Sequence, residues 1–306
     1  MGRINEYGEA IPDNSSAPGW LLIILVILAF FIFYRPTNNS SSSPTSAQNS
    51  QEIAQRIQRV GEVHIASGRF RLEQALNLRN TVTITGAGRS RTVLIISSAQ
   101  NGAALRFQGN GVLTLRDLAI EYDGALSADV IRIERGTVRL ENIEVKSGRQ
   151  NARAPRQSIG SGIILQNNSR ITISNSLFHN NERHGIMLLD NSSGTLSQSI
   201  FSENGYQGVV AAGASRLVLE DEVVTRGNGQ SGIVLFENAR MRVQNSASTQ
   251  NNRHGLVLMD SSQATVGGSQ FISNGFYGIY VGRSARLIEQ SGNRLWGNQE
   301  AAIGRE

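Results

Sequence analysis

Two carboxylates, Glu237 and Asp260, stand 23 residues apart at matching places in a repeat. If the repeat stacks, their Cβ atoms come within roughly 5 Å, which suits a retaining glycosidase pair or a shared calcium ion. Their column reads Asn167, Asp190, Gly213, Glu237, Asp260, Arg283. No third acid or aromatic sugar platform accompanies the pair in the same rungs, so both are expected as solvated turn carboxylates eased by Arg240 and Arg283. A second column reads Arg170, Ser193, Arg216, Arg240, Gln263, Arg286. Like charges at rung spacing repel unless partnered. The line of guanidinium groups is therefore a candidate surface for an acidic protein, a lipid surface or an anionic glycan. The alternative is a solvated edge paired with Asp190, Glu237 and the Glu220-Asp221-Glu222 run. His184 and His254 sit in matching Arg-His-Gly triplets. At three rungs, about 14 Å, they cannot act together or share a metal. No catalytic residue, cofactor or metal site is assigned.

The elements that must position these residues are written in a repeat. Gly162, Gly185, Gly208, Gly232, Gly255 and Gly278 open successive units at spacings of 23, 23, 24, 23 and 23 residues, and Ala301 falls 23 later. Apolar residues follow each glycine. A second apolar column comprises Ile173, Leu196, Leu219, Val243 and Val266, and a third Phe178, Phe201, Val224, Phe271 and Leu295, with Ser248 as its polar member. Three short strands per turn, each sending alternate side chains inward, meet this pattern. Neither helical spacing nor a leucine-rich consensus appears. Asn181, Asn204, Asn228, Asn251, Asn274 and Asn298 run at the same period where the chain must turn. Asparagine tolerates the left-handed region there, and its amide can bond the equivalent amide one rung away, which predicts a structural ladder along the axis.

Composition agrees with a turn-rich β protein: 306 residues with 32 glycines, 5 prolines and 17% charged residues. There are 28 arginines and one lysine, Lys146, a bias that fits a GC-rich bacterial genome. The net charge of +5 is too modest and too dispersed to imply nucleic acid. The lack of cysteine excludes disulfides, thiolate metal sites and lipoprotein acylation.

The segments Val-Gly-Glu-Val-His-Ile-Ala-Ser-Gly-Arg-Phe-Arg-Leu from Val60 and Val-Thr-Ile-Thr-Gly-Ala-Gly-Arg-Ser-Arg-Thr-Val-Leu from Val82, with the repeat, resemble the pectin-lyase-like right-handed parallel β-helix superfamily. The resemblance covers about Gln51 to Glu306. It implies an all-β solenoid of three strands per coil and no particular reaction, because the superfamily holds lyases, glycosidases, epimerases and tailspikes. The His-Gly pairs resemble part of the polygalacturonase signature, but the aspartate motifs and the Arg-Ile-Lys sequence of that family are missing.

Ahead of the solenoid, residues 18–35 read as a transmembrane helix. The run from Trp20 to Tyr34 is apolar, aromatic at both ends and closed by Arg35. It spans about 28 Å as a helix. The tail, residues 1–17, is acidic rather than basic and no small-x-small site follows the run, which argues against a cleaved signal peptide. Residues 36–50 read as a polar tether reaching about 20 Å root-mean-square. Ile53, Ile57 and Val60 predict an amphipathic helix over residues 51–60 that caps the solenoid 51–306. The stretch from Ser147 to Gly160 breaks the period as a loop.

With no catalytic motif, the sequence favours a non-catalytic, membrane-anchored docking protein, an accessory subunit of a larger membrane complex such as a respiratory or photosynthetic one. The alternative is an envelope polysaccharide-binding or polysaccharide-processing protein. A partner is expected on the arginine line or on the last rung at Ala301 and Ile303, where unpaired strand groups face outward with Trp296 nearby. The solenoid is expected outside the cytoplasm (periplasmic), with the cytoplasmic side as the alternative. The bilayer and other complex subunits are the expected partners, with an anionic glycan as a further one.

Overall fold

The computed structural model describes residues 47–59, 61–150 and 159–306. The expected tail and membrane span, with Trp20, Tyr34 and Arg35, lie outside them. Among the described residues no helix is long and apolar enough to cross a membrane. The helix α1 (Ala47–Ile57) begins four residues before the expected cap, so the end of the expected tether is helical. It buries Ile53, Ala54 and Ile57 in the solenoid core; Val60 lies outside the described residues.

From Gly61 the chain winds into a right-handed parallel β-helix of about ten turns, all strands belonging to one 25-stranded parallel sheet system. A typical coil has strands Ile186–Leu188, Ser193–Ser197 and Ile200–Ser202. Each pairs in parallel with its equivalent one coil below and above, for example Leu196 with Ile173 and with Leu219. The second column aligns as the sequence predicts. The third does not: Phe201 pairs with Thr225, not Val224, and Thr225 pairs with Ser248. The one 24-residue unit places two consecutive left-handed residues, Asp221 and Glu222, at its second corner. The extra residue shifts the following strand by one. Thr225 and Ser248 are fully buried in register between Phe201 and Phe271 and bond each other at 2.8 Å, and Ser248 also donates to the Gly255 carbonyl. Below them the rings of Phe178 and Phe201 stack with centroids 4.8 Å apart.

In the coils from Ile163 to Ser273 each of the three corners is built on a left-handed residue: Asp190, Gln198 and Glu203 in one coil, Glu237, Asn245 and Gln250 in another. At the third corner the left-handed residue is the one before the ladder asparagine, not the asparagine itself. That reversal turns the next side chain inward. The amides then run in single file: Asn181 Nδ2 donates to Asn204 Oδ1 at 2.9 Å, and so on through Asn228, Asn251 and Asn274 to Asn298. Each Oδ1 also accepts the backbone N–H of the asparagine below, and the second amide proton of Asn204, Asn228, Asn251, Asn274 and Asn298 goes to a backbone carbonyl such as Phe201 O. The glycines that open the units are required for room. A Cβ on Gly208 would come 2.9 Å from Asn228 Nδ2, and one on Gly185 would come 3.0 Å from Asn204 Nδ2.

Replacing Asn228 with alanine would leave the amide and backbone N–H of Asn204 without their acceptor in a dry interior. A loss of about 1 to 3 kcal/mol is expected for each buried donor so orphaned. Urea unfolding should show the midpoint falling; an unchanged midpoint would mean that the ladder is decorative.

Candidate functional site

The second strand of each coil begins on the arginine column. Arg170, Ser193, Arg216, Arg240, Gln263 and Arg286 are register partners on successive rungs, and their side chains alternate with the inward Ile171, Leu217 and Met241. The next outward column holds Thr172, Thr195, Val218, Arg242 and Thr265. Together they line an open groove of about 590 Å³ along the axis. The arginines are thus one side of a trough rather than a bare edge. Behind the groove, in the inward column, Ile171 and Leu217 close over Gly194 from the two sides: a Cβ there would point into the core and lie 2.8 Å from Ile171 Cγ2.

The carboxylates expected to neutralise this column do not reach it. Among the described residues Arg170, Arg216, Arg240 and Arg286 make no ion pair. Asp221 and Glu222 sit at the far end of the Arg216–Glu220 strand, some 13 Å or more along it. Asp190 and Glu237 are spent on the first corner. Asp190 Oδ2 accepts Asn167 N–H at 2.6 Å, Glu237 Oε2 accepts Gly213 N–H at 2.6 Å, and Asp260 Oδ2 accepts Glu237 N–H at 2.9 Å. Each carboxylate thereby caps the left-handed residue one rung below. Glu237 and Asp260 form a carboxylate ladder that secures the turn, a structural task the sequence pattern could not separate from a catalytic one. Among the described residues no group of three or more acidic or histidine side chains could hold a metal. At the last rung Ile303 opens a short strand paired with Ile279, the Ala301 carbonyl accepts Gly278 N–H, and Trp296 stays largely exposed instead of covering the strand.

His184 and His254 lie three rungs apart, and their surroundings push both towards the neutral form. Burial, reinforced by the Arg183 guanidinium, lowers His184 to about 3, and burial with Arg253 lowers His254.

One titratable cluster escaped the sequence. Glu144 Oε1 accepts from Lys146 Nζ at 2.9 Å and from His179 Nε2 at 3.0 Å, and the other ring nitrogen of His179 meets Asn180 Nδ2 at 3.1 Å. Both imidazole nitrogens are engaged, which fixes the orientation of the ring. His179 sits 35 residues after Glu144, because the period-breaking loop lies between them. Burial alone would raise the Glu144 carboxyl, but the His179 hydrogen bond and the Lys146 charge hold it at about 2 against an ordinary 4.5. Since the folded value lies below the unfolded one, the stabilisation is complete above pH 4.5 and disappears as pH falls towards 2. Melting temperatures between pH 7 and 2 should fall more steeply below 4.5 for the natural protein than for Glu144→Gln. Parallel curves would remove this cluster from the acid response.

The sequence model described as "Right handed beta helix region" matches residues 80–227 and 161–304. No curated protein matches the chain. Among solved structures, the chain is similar to the A-module of the Azotobacter vinelandii mannuronan C-5 epimerase AlgE4, with TM-score 0.63 and 19% identity over 82% of this chain and 75% of that one. It is also similar to pectate lyase Pel9A, with TM-score 0.54 and 13% identity over 87% and 79%, and to the Dettilon tailspike protein, with TM-score 0.51 and 14% identity over 88% and 67%. The expected assignment to a non-catalytic accessory subunit of a membrane complex is corrected by these neighbours, two of which bear the names of polysaccharide-processing enzymes. At such identities the likeness is one of fold, and with the family match it is decisive on that point: this chain belongs to the right-handed β-helix family and has the pectin-lyase-like fold.

Proposed function

We propose that the solenoid binds an acidic polysaccharide along the groove on its second sheet. The observation that carries this reading is the set of arginines held in register there without carboxylate partners. Arg216 and Arg240 are direct neighbours on adjacent rungs, about 4.8 Å apart, an arrangement that costs stability unless an anion lies between or above them. A guanidinium presents planar paired donors that match a carboxylate or sulfate. Thr172, Thr195 and Thr265 offer hydroxyls beside them. Among the described residues the groove lining offers arginine and threonine donors and no carboxylate or histidine, whereas glycoside hydrolysis requires two carboxylates, so the reading is binding of the chain.

The apolar run from Trp20 to Tyr34 completes the proposal. As a membrane span it would tether the groove near a bilayer surface, with the solenoid outside the cytoplasm where envelope polysaccharide is found. Protease added to intact spheroplasts should digest the solenoid; digestion only after lysis would place it in the cytoplasm.

Calorimetric titration of the detergent-solubilised full chain with oligogalacturonate should show binding that weakens with salt. The double variant Arg216→Gln, Arg240→Gln should lose at least about tenfold in affinity, equivalent to about 1.4 kcal/mol. Equal binding by the variant, or no binding of acidic oligosaccharide by the natural chain, overturns the groove reading.

A further inference from the structure

A second surface, at the third corner, has a different chemistry. There the rings of Phe276, Tyr277 and Tyr280 gather around His254 from the next rung, at centroid distances of 5.5, 5.7 and 5.4 Å. Tyr277 lies parallel to the imidazole, within 1°, and Tyr277 and Tyr280 are 5.8 Å apart. The platform is held in place from behind. A Cβ on Gly304 would fall 2.8 Å from the Tyr277 ring, so the bare backbone of the last strand is what lets that ring pack down. Tyr277 N–H donates to His254 Nδ1 at 3.3 Å, which leaves the proton of the neutral imidazole on Nε2. Among the described residues that N–H has no partner.

The cluster is open to solvent on one side. Phe276 is 40% exposed, and Tyr280 and His254 are half-buried. In register on the rungs below Tyr280 stand Ile164, Met187, Val210, Val234 and Val257, of which all but Met187 are buried. The nearby cation is already placed: the Arg253 guanidinium lies over the Phe276 ring at 5.8 Å. Flat rings and one neutral donor, with the positive charge set against an aromatic face, make a poor anion site. They suit a ring with one apolar C–H face and hydroxyls on its rim.

We propose that His254, Phe276, Tyr277 and Tyr280 form a stacking subsite for a neutral pyranose oligosaccharide, with the His254 Nε2–H donating to a sugar hydroxyl. The subsite is on a different face from the arginine groove and does not depend on it. An acidic chain in the groove and a neutral chain at the corner would let one solenoid cross-bridge two glycans.

The test uses the full chain in detergent, titrated with the hexasaccharides of β-1,4-linked glucose, mannose and xylose and followed by saturation-transfer NMR and calorimetry. At least one should bind, with little dependence on salt. Phe276→Ala and Tyr280→Ala should each weaken it at least about fivefold, Tyr280→Phe should restore stacking, and the Arg216→Gln, Arg240→Gln double variant should bind as the natural chain does. Unchanged melting temperatures would verify that the alanine variants are folded. Binding by none of the three sugars overturns the subsite, as does binding untouched by Phe276→Ala. Loss with the groove variant instead would assign the neutral sugar to the groove. Concentration-dependent self-association abolished by Phe276→Ala would assign the platform to contact between copies and likewise overturn the proposal.

Discussion

The rest of the molecule is arranged around a file of asparagine amides that must touch. For Asn204, Asn228, Asn251 and Asn274, both amide protons and the amide oxygen are bonded inside a dry core, which is the condition under which buried polar groups stabilise rather than cost. Meeting it fixes the rung spacing, demands a left-handed residue just before each amide, and leaves no space for a Cβ on the glycine that follows. Once the third corner is pinned in this way, the columns of the other two faces fall into register, and side chains 23 or 24 residues apart become neighbours. The groove, the carboxylate caps and the aromatic platform are all consequences of that alignment.

Periodicity explains what was legible. Columns whose members keep one chemical type at intervals of 23 or 24 residues, such as Ile173 to Val266 and Asn181 to Asn298, can be read straight from the chain, because the residue type marks each rung. The reading fails where the interval changes and neighbouring residues are both apolar. Val224 appeared to continue the phenylalanine column because the additional corner residue at Asp221 and Glu222 cannot be located from spacing alone. Glu144 and His179 were invisible as partners because a loop of unpredictable length separates their coils. The start of α1 was hidden for another reason: Ala47 to Ser50 look like the polar stretch before them, and what makes them helical is the anchoring of Ile53 and Ile57 downstream.

The site was legible in part. The arginine line was evident as a column, but not as one side of a trough, since that depends on the outward threonines beside it. The platform was missed because its members belong to three different columns and meet only when the corner folds them together. Glu237 and Asp260 have the spacing of a catalytic pair, yet a carboxylate at a left-handed corner is drawn first to the unsatisfied N–H of the rung below. A functional face on a solenoid is more safely sought among polar groups that the corners leave unused.

The amide file has one further property. Along the file each Oδ1 faces the coil before and one Nδ2 proton faces the coil after, beginning with Gly148 N–H donating into Asn181 Oδ1 and finishing with Asn274 Nδ2 donating to Asn298 Oδ1. In the parallel strands around it, backbone donors point alternately up and down, so their dipoles largely cancel. The side-chain file has no such cancellation. Its amide dipoles add, giving the rod a built-in electrical direction with the positive pole at the terminal coils, so the two ends of an otherwise repetitive cylinder are chemically unlike each other.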